Sequence, residues 1–305
     1  MYHNIIIDGS NLMMSGISMN TEDFLENGMY VGGVTSILRS ISKLVYRLSP
    51  DYIYITFDYY KSQFRLDLYP EYKGKRKLPQ DVAYRATFNR MAIDILEKVL
   101  PLLGVYVIKS PVDVEADDVI SNFVKQSKNH NTIISTDKDF IQLIDDKTSL
   151  YRQVDETFIS KETVDGYLGY NSEYMASVKA LVGDVSDNII GCKLVGEKTG
   201  IKIVVNSSNE VASILSYCSS SKSKWARNVE EFIKSGEYQL NLQLVDLKHG
   251  PQFSVKELIQ LPNYDFEKAT KYLIDLGFND ILGFNDWKWI VDWAKQQHEK
   301  HKTNS

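Results

Sequence analysis

His3-Asn4-Ile5-Ile6-Ile7-Asp8-Gly9 opens the chain with three consecutive isoleucines that run straight into a carboxylate. A short run of β-branched residues, apolar on both faces, reads as an interior strand of a parallel sheet. The same form recurs. Residues 52–57 (YIYITF) lead into Asp58, and residues 132–135 (TIIS) lead through Thr136 to Asp137 and Asp139. A fourth run, residues 104–108 (GVYVI), leads through Ser110 and Val114 to Glu115-Ala116-Asp117-Asp118. Helical periodicity fills the intervals: Val34, Ile37, Leu38, Ile41, Leu44, Val45 and Leu48 mark one helix, and residues 88–103 and 116–126 mark two more. Strands alternating with helices predict an α/β fold, a mainly parallel central sheet flanked by helices on both faces. Beyond about Tyr170 the strand signal fades into helices with polar connections. Residues 216–224 are expected as an exposed loop and the tail from Lys295 as frayed.

The totals bound the function. With 305 residues, 43% of them hydrophobic, the chain has ample material for one large domain or two modest ones. Its apolar runs are strand-sized, too short to span a bilayer, and the first strand begins too early for a signal peptide; a cytoplasmic protein is expected. Two cysteines, Cys192 and Cys218, suit reduced thiols better than a disulfide framework. A net charge of −5 argues only weakly against a nucleic-acid partner, because the distribution of charge matters more than its sum.

Two distributions stand out. In a parallel sheet, the strand-end carboxylates emerge on one edge, where such sheets place their sites. Gly183-Asp184-Val185-Ser186-Asp187-Asn188 adds two more. Each taken singly can be a turn or helix-cap residue. Together they would repel one another unless divalent cations neutralise them, and an all-carboxylate set fits Mg²⁺ or Mn²⁺. Two such ions about 4 Å apart form a phosphoryl-transfer clamp. The second distribution is the basic, aromatic connection after Asp58. Lys61, Arg65, Lys73, Lys75, Arg76, Lys77 and Arg85 are interleaved there with Tyr59, Tyr60, Phe64, Tyr69, Tyr72 and Tyr84, cations for phosphates beside faces for unpaired bases. A solvated charged loop is the equal alternative from composition alone. Two other motifs lack their context. Gly191 to Thr199 approaches a P-loop, but Glu197 separates Gly196 from Lys198 and no strand precedes it. Asp137-Lys138-Asp139 approaches an aspartyl-phosphate motif, but Phe140 follows where a turn-forming Gly belongs.

Taken in order, Ile7-Asp8-Gly9, Phe57-Asp58, Phe64-Arg65 with Pro70-Glu71-Tyr72-Lys73-Gly74-Lys75-Arg76, Val114 to Asp118, Ser135 to Asp139 and Gly183 to Ile189 resemble the flap endonuclease and 5′-to-3′ exonuclease family. Its stand-alone bacteriophage members and the nuclease domain of bacterial repair polymerases are the most similar. The resemblance spans residues 5 to 282 and implies a PIN-like, resolvase-like sheet in a catalytic domain (residues 1–170) carrying a helical arch (59–90). A helix–hairpin–helix DNA-binding region (171–250) and a helical C-terminal segment (251–305) would follow. With no polymerase region after them, a free-standing, monomeric nuclease is expected. The resemblance implies that Asp8, Asp58, Glu115, Asp117 and Asp118 hold a first metal ion, with Asp118 near both ions. Asp137, Asp139, Asp184 and Asp187 would hold or orient a second. Lys73 and Arg76 would reach the scissile phosphate from the arch base, Arg65 and Lys75 would contact phosphates, and Tyr72 would pack or stack near the unpaired end. Gly191, Lys193, Gly196, Lys198 and Thr199 would hold a duplex phosphate at the hairpin, bridged in the family by a monovalent cation, often K⁺. Two departures are visible: Leu194 stands where the family has Gly, and Ser15 stands where related phage enzymes carry a substrate-facing Arg, a role open to Arg39 or Lys43. The implied partners are DNA with a 5′ flap, free 5′ end or branch, and RNA–DNA hybrid primers, in DNA replication and repair. A non-cleaving binder of branched DNA, a metal-dependent phosphatase and a PIN-like ribonuclease are the rival readings.

Overall fold

A computed structural model describes residues 1–75, 77–279 and 285–304. The isoleucine run forms β1 (His3–Asp8) at the centre of a seven-stranded sheet. It pairs in parallel with β2 (Tyr52–Thr56) on one side and β4 (His130–Ile134) on the other. β3 (Tyr106–Ile108) continues the sheet in parallel beyond β2, and β5 (Thr148–Arg152) beyond β4. Antiparallel strands β6 (Thr157–Ile159) and β9 (Ile259–Gln260) close the two edges, giving the order β6-β5-β4-β1-β2-β3-β9. The three isoleucines are needed because both faces of β1 are buried. Ile5 and Ile7 enter a core with α1 (Gly9–Met19), α2 (Gly32–Leu48) and α5 (Asn89–Val99), while Ile6 faces α6 (Ala116–Gln126) on the other side. Connections leave β1 toward β2 on one side and reach β4 on the other, so strand order reverses at β1. The crevice at that reversal is where open α/β sheets bind ligands.

The segment expected to form an arch contains two short helices, α3 (Gln63–Leu68) and α4 (Gln80–Ala86). Its two ends are tied to different walls: α3 packs on α12 (Glu237–Val245), and α4 packs on α1, where Arg85 Nε donates to Ile17 O at 3.0 Å. Arg76, expected at this segment's base, lies outside the described residues.

A second core is helical. It gathers α8 (Met175–Val182), α9 (Glu197–Ser207), α10 (Val211–Ser219), α11 (Lys224–Lys234) and α12 around Leu181, Ile203, Ile214 and Val229. A two-stranded hairpin of β7 (Gly183–Asp184) and β8 (Ile189–Ile190) projects from it. The described C-terminal elements pack on the sheet: β9 joins it, and α13 (Phe266–Asp275) and the C-terminal helix (Asn285–Asn304) return to the first core through Leu273, Ile290 and Trp293. Two expectations are corrected here. The tail from Lys295 is helical to Asn304 rather than frayed, and residues 216–219 belong to α10 rather than to a loop.

Candidate metal and nucleic-acid site

Asp8 ends β1 and caps α1. Its Oδ1 accepts from Asn11 N at 3.0 Å, and its Oδ2 accepts from Ser135 Oγ, beyond the end of β4, at 2.9 Å. Asn11 in turn accepts from the backbone and hydroxyl of Thr136, so the ends of β1 and β4 are stitched together. Gly9 makes the tight turn into α1: a Cβ there would fall 2.5 Å from the Phe57 ring. Asp58 leaves the end of β2; its N–H donates to Ser10 Oγ, and its Oδ1 accepts from Ala116 N at the start of α6. That bond fixes Glu115, Asp117 and Asp118 relative to β2. Asp137 caps the 3₁₀ turn Lys138–Leu143, which carries Asp139.

Crowding is written in their titration. Burial, reinforced by Asp58 and Asp137, pushes the Asp8 carboxyl up to about 7 against the hydrogen bonds from Asn11 and Ser135. Asp117 is held well above the usual carboxylate range, first by burial and then by Asp8, Asp58 and Asp137; Lys73 opposes the shift. Asp58 is raised by loss of water and by Glu115, although its outer edge faces solvent. Like charges that cannot all ionise mark a place for a cation.

The other carboxylates carry their own counter-charges. Arg65 is only 2% exposed, and it places Nη1 2.7 Å and Nη2 2.9 Å from the two oxygens of Asp118, with Nη1 also 3.2 Å from Glu115. Its Nε donates to Leu244 O in α12, so one guanidinium joins α3, α6 and the helical body. Arg65 is therefore not at a surface where it could meet a DNA phosphate, which corrects that expectation, and Asp118, 1% exposed, turns both oxygens to Arg65. Buried ions need such pairing because desolvation alone would cost several kcal/mol each. Tyr72 is likewise buried, with its hydroxyl donating to Glu115 and Asp187 and its ring in the helical core, so it packs rather than offering a stacking face.

Lys73 follows Tyr72 in a left-handed conformation (φ 54°), which directs its ammonium to Glu115 Oε1 at 2.8 Å. Burial would lower its pKa, but Glu115, Asp117 and Asp187 raise it further, so it stays charged beside the rim. Its N–H donates to Asp187 O, holding the hairpin turn against the strap. Lys75 is exposed. Lys179 is the residue the sequence reading passed over. Its ammonium lies 2.5 Å from Asp139 and 2.7 Å from Asp184, bridging the two. Burial keeps Asp139 up at about 6 despite this partner, whereas Lys179 and Ser186 overcome burial at Asp184 and bring it down to about 2. The available signal was a lone cation in the otherwise apolar α8, five residues before Asp184.

Among the described residues, no three of these side chains already converge as a finished metal cage. The donor set nonetheless fits a hard divalent cation. Asp8, Asp58, Asp117 and Asp137 share one crevice, are oxygen donors only, and form no salt bridge to a described residue.

At the hairpin, Leu194 adopts φ 67°, the left-handed conformation that Gly would supply, and its side chain is 60% exposed. The turn is therefore kept at a cost of about 1–2 kcal/mol. Gly191 is required by packing, since a Cβ would sit 2.0 Å from Val182 O. Gly196 precedes α9 without a side-chain cap, and Lys193 and Lys198 are exposed around that helix start, with Thr199 in its first turn.

Comparison with known proteins bears on both halves of the chain. Residues 3–169 match the model of the 5′-3′ exonuclease N-terminal resolvase-like domain. DNA polymerase I of Streptococcus pneumoniae (strain ATCC BAA-255 / R6) is 27% identical over 296 residues, covering 91% of this chain and 32% of the polymerase. The chain thus spans about a third of that relative's length. A 5′-3′ exonuclease of Aquifex aeolicus (strain VF5) is 25% identical over 283 residues, covering 91% of this chain and 93% of that protein. Among solved structures, the bacteriophage T5 D15 flap endonuclease, in a pseudo-enzyme–product complex with DNA and metal ions, has a TM-score of 0.67 at 23% identity. It covers 96% of this chain and 100% of its own. The catalytic core of Rad2 in complex with DNA substrate has a TM-score of 0.54 at 15% identity, covering 92% of this chain and 91% of its own. At these identities the structural likenesses establish the fold.

Proposed function

We propose, from the premise that this chain belongs to the 5′-3′ exonuclease family, that it hydrolyses DNA phosphodiesters at free 5′ ends and 5′ flaps. The observation that carries this reading is the crowd of Asp8, Asp58, Asp117 and Asp137 at the strand-order reversal, where burial and crowding raise the pKa values of Asp8, Asp58 and Asp117. Two Mg²⁺ or Mn²⁺ ions bound there would supply Lewis acidity toward water and phosphate. Asp8, Asp58, Asp117 and, on one edge, Glu115 would hold the first. Asp137 would hold the second, with Asp139, Asp184 and Asp187 orienting it. Asp118, which follows Asp117 at the start of α6, is held in place by its pair with Arg65.

The chain's own groups do the rest. Lys73 can exchange its contact with Glu115 for an entering phosphate, carrying positive charge to the place where negative charge grows. Arg76 and Lys75 belong to the same cationic segment. The segment's helices α3 and α4, fastened at α12 and α1, would admit a single-stranded 5′ end between these two attachments. The uncapped start of α9 offers N–H groups to a duplex phosphate without reading sequence, flanked by Lys193, Lys198 and Thr199. A monovalent cation such as K⁺ at the hairpin and a place in primer or flap removal belong to the same proposal.

A labelled 5′-flap duplex, incubated with the protein and Mg²⁺ or Mn²⁺, tests it. Release of the flap strand, abolished by EDTA, is expected. Tight binding with no cleavage in either metal would instead make this a branched-DNA-binding protein.

A further inference from the structure

We propose that Arg152, at the end of β5, is a positioning residue for the metal-binding carboxylates. It sets Asp137 and Asp8 without touching either, through the peptide that joins Thr136 to Asp137. This role rests on the metal reading of the crevice.

The path is continuous. Arg152 Nη1 donates to Thr136 O at 3.1 Å. That carbonyl belongs to the peptide whose N–H, on Asp137, donates to Ser135 Oγ at 3.0 Å. Ser135 Oγ in turn donates to Asp8 Oδ2 at 2.9 Å. Asn11 closes the path into a ring: its N–H donates to Asp8 Oδ1, and its Oδ1 accepts from both Thr136 N and Thr136 Oγ1. Asp8 and Ser135 are buried, so these bonds lie in a low dielectric. Hydrogen bonds in series polarise one another there. A cation on the carbonyl end of the peptide therefore strengthens the N–H donation at its other end. The hydroxyl bond that fixes the Asp8 carboxylate is strengthened with it.

The guanidinium is held for this place. Its Nη2 lies 3.1 Å from Asp155 Oδ2, and its Nε also donates to that carboxylate, which leaves Nη1 for Thr136. The Arg152 side chain is only 14% exposed, against 47% for Asp155. An ordinary ion pair at a strand end would need Asp155 alone; here one donor is spent on the backbone of the loop that carries Asp137. Ser135 N donates to Tyr151 O at 3.3 Å, so the ends of β4 and β5 keep the spacing that this bond requires. Arg65 and Lys179 differ, because each pairs directly with carboxylates. A cation in direct contact with Asp137 would compete with a metal ion. One that acts through a peptide leaves the carboxylate oxygens open.

Mg²⁺ titrated into the chelator-stripped protein, followed by calorimetry and by the rise in Tm, gives a half-saturating concentration without substrate or turnover. Arg152→Met should raise that concentration about tenfold. Arg152→Lys, which restores a cationic donor, and Asp155→Asn, an exposed change, should each raise it about threefold. Ser135→Ala cuts the path, so adding Arg152→Met to it should raise the concentration by less than about twofold more. At saturating Mg²⁺, flap cleavage by Arg152→Met should return to within about threefold of the parent. A merely structural role would lower Tm in chelator and leave the half-saturating concentration where it was; that result overturns the proposal. An undiminished loss on the Ser135→Ala background overturns it too. If Arg152→Met does not fold, Asp155→Asn carries the test. A wild type that Mg²⁺ neither stabilises nor activates sinks the metal reading and the positioning role together. A wild type that responds to Mg²⁺, with variants that respond alike, sinks the positioning role alone.

Discussion

Carboxylates at the sheet's C-terminal edge exist in two electrostatic states. Asp8, Asp58, Asp117 and Asp137 face one another with no salt bridge among the described residues, and burial and crowding raise the pKa values of Asp8, Asp58 and Asp117. Asp118 and Glu115 on Arg65, and Asp139 and Asp184 on Lys179, have cations built into the fold. Both groups are crowded, so crowding alone does not mark a ligand. What separates them is whether the protein supplies the positive charge. The first group is receptive; the second is a scaffold that holds the receptive one in place when no metal is bound.

The largest expected effect breaks the receptive half. Asp117→Ala should slow flap cleavage by about 10²-fold or more, with DNA binding kept or tightened because a negative charge is gone. Cleavage at the parental rate, measured on the same flap duplex, would remove Asp117 from the site. Next comes the scaffold. Arg65→Ala leaves the buried Asp118 carboxylate unpaired, while Glu115 keeps Lys73, and should cost about 3–5 kcal/mol in urea unfolding. Arg65→Met combined with Asp118→Leu should recover most of that loss; a single variant as stable as the parent would contradict the scaffold role.

Titration sharpens the contrast at one residue of each half, because Asp8 and Asp184 respond with opposite sign. The folded Asp8 carboxyl, raised to about 7, keeps a proton that the unfolded chain releases near about 3.9. Its penalty is therefore absent below about pH 4 and grows as pH rises toward 7. Asp184, lowered to about 2, does the reverse: it stabilises above about pH 4, and that contribution is lost as pH falls toward 2. In chelator, Tm should fall between about pH 4 and 7, and Mg²⁺ should flatten that limb. A limb that Mg²⁺ leaves unchanged would separate the crowding from metal binding. The smallest effect is at the hairpin. Leu194→Gly relieves the left-handed strain but adds unfolded-state freedom, so stability should rise by no more than about 1 kcal/mol. A loss of stability would mean that the Leu194 side chain contributes packing despite its exposure.

Much of the fold was legible because local pattern and burial agree. The isoleucines of β1 and the period of α2 match their environments, and each strand-end Asp lies where a parallel sheet must put it. The short edge strands β6 and β9 were not legible, since so few residues carry no periodicity of their own and are ordered by their neighbours. The return of α13 and the C-terminal helix to the first core was hidden for a similar reason. An amphipathic helix shows that it has an apolar face but not which surface covers it. Arg65 shows the limit most clearly: in sequence it is one cation among seven in a basic segment, and only its depth distinguishes it.

Sequence by itself determined which residue types sit at the strand ends and, through the ordered motifs, the family. Those are properties of local order along the chain. Tertiary structure alone decided which carboxylates keep a protein counter-ion and which are left for a metal. Charge compensation depends on distances across α3, α6, α8 and the sheet, between residues as far apart in sequence as Asp139 and Lys179, and no local pattern encodes those distances.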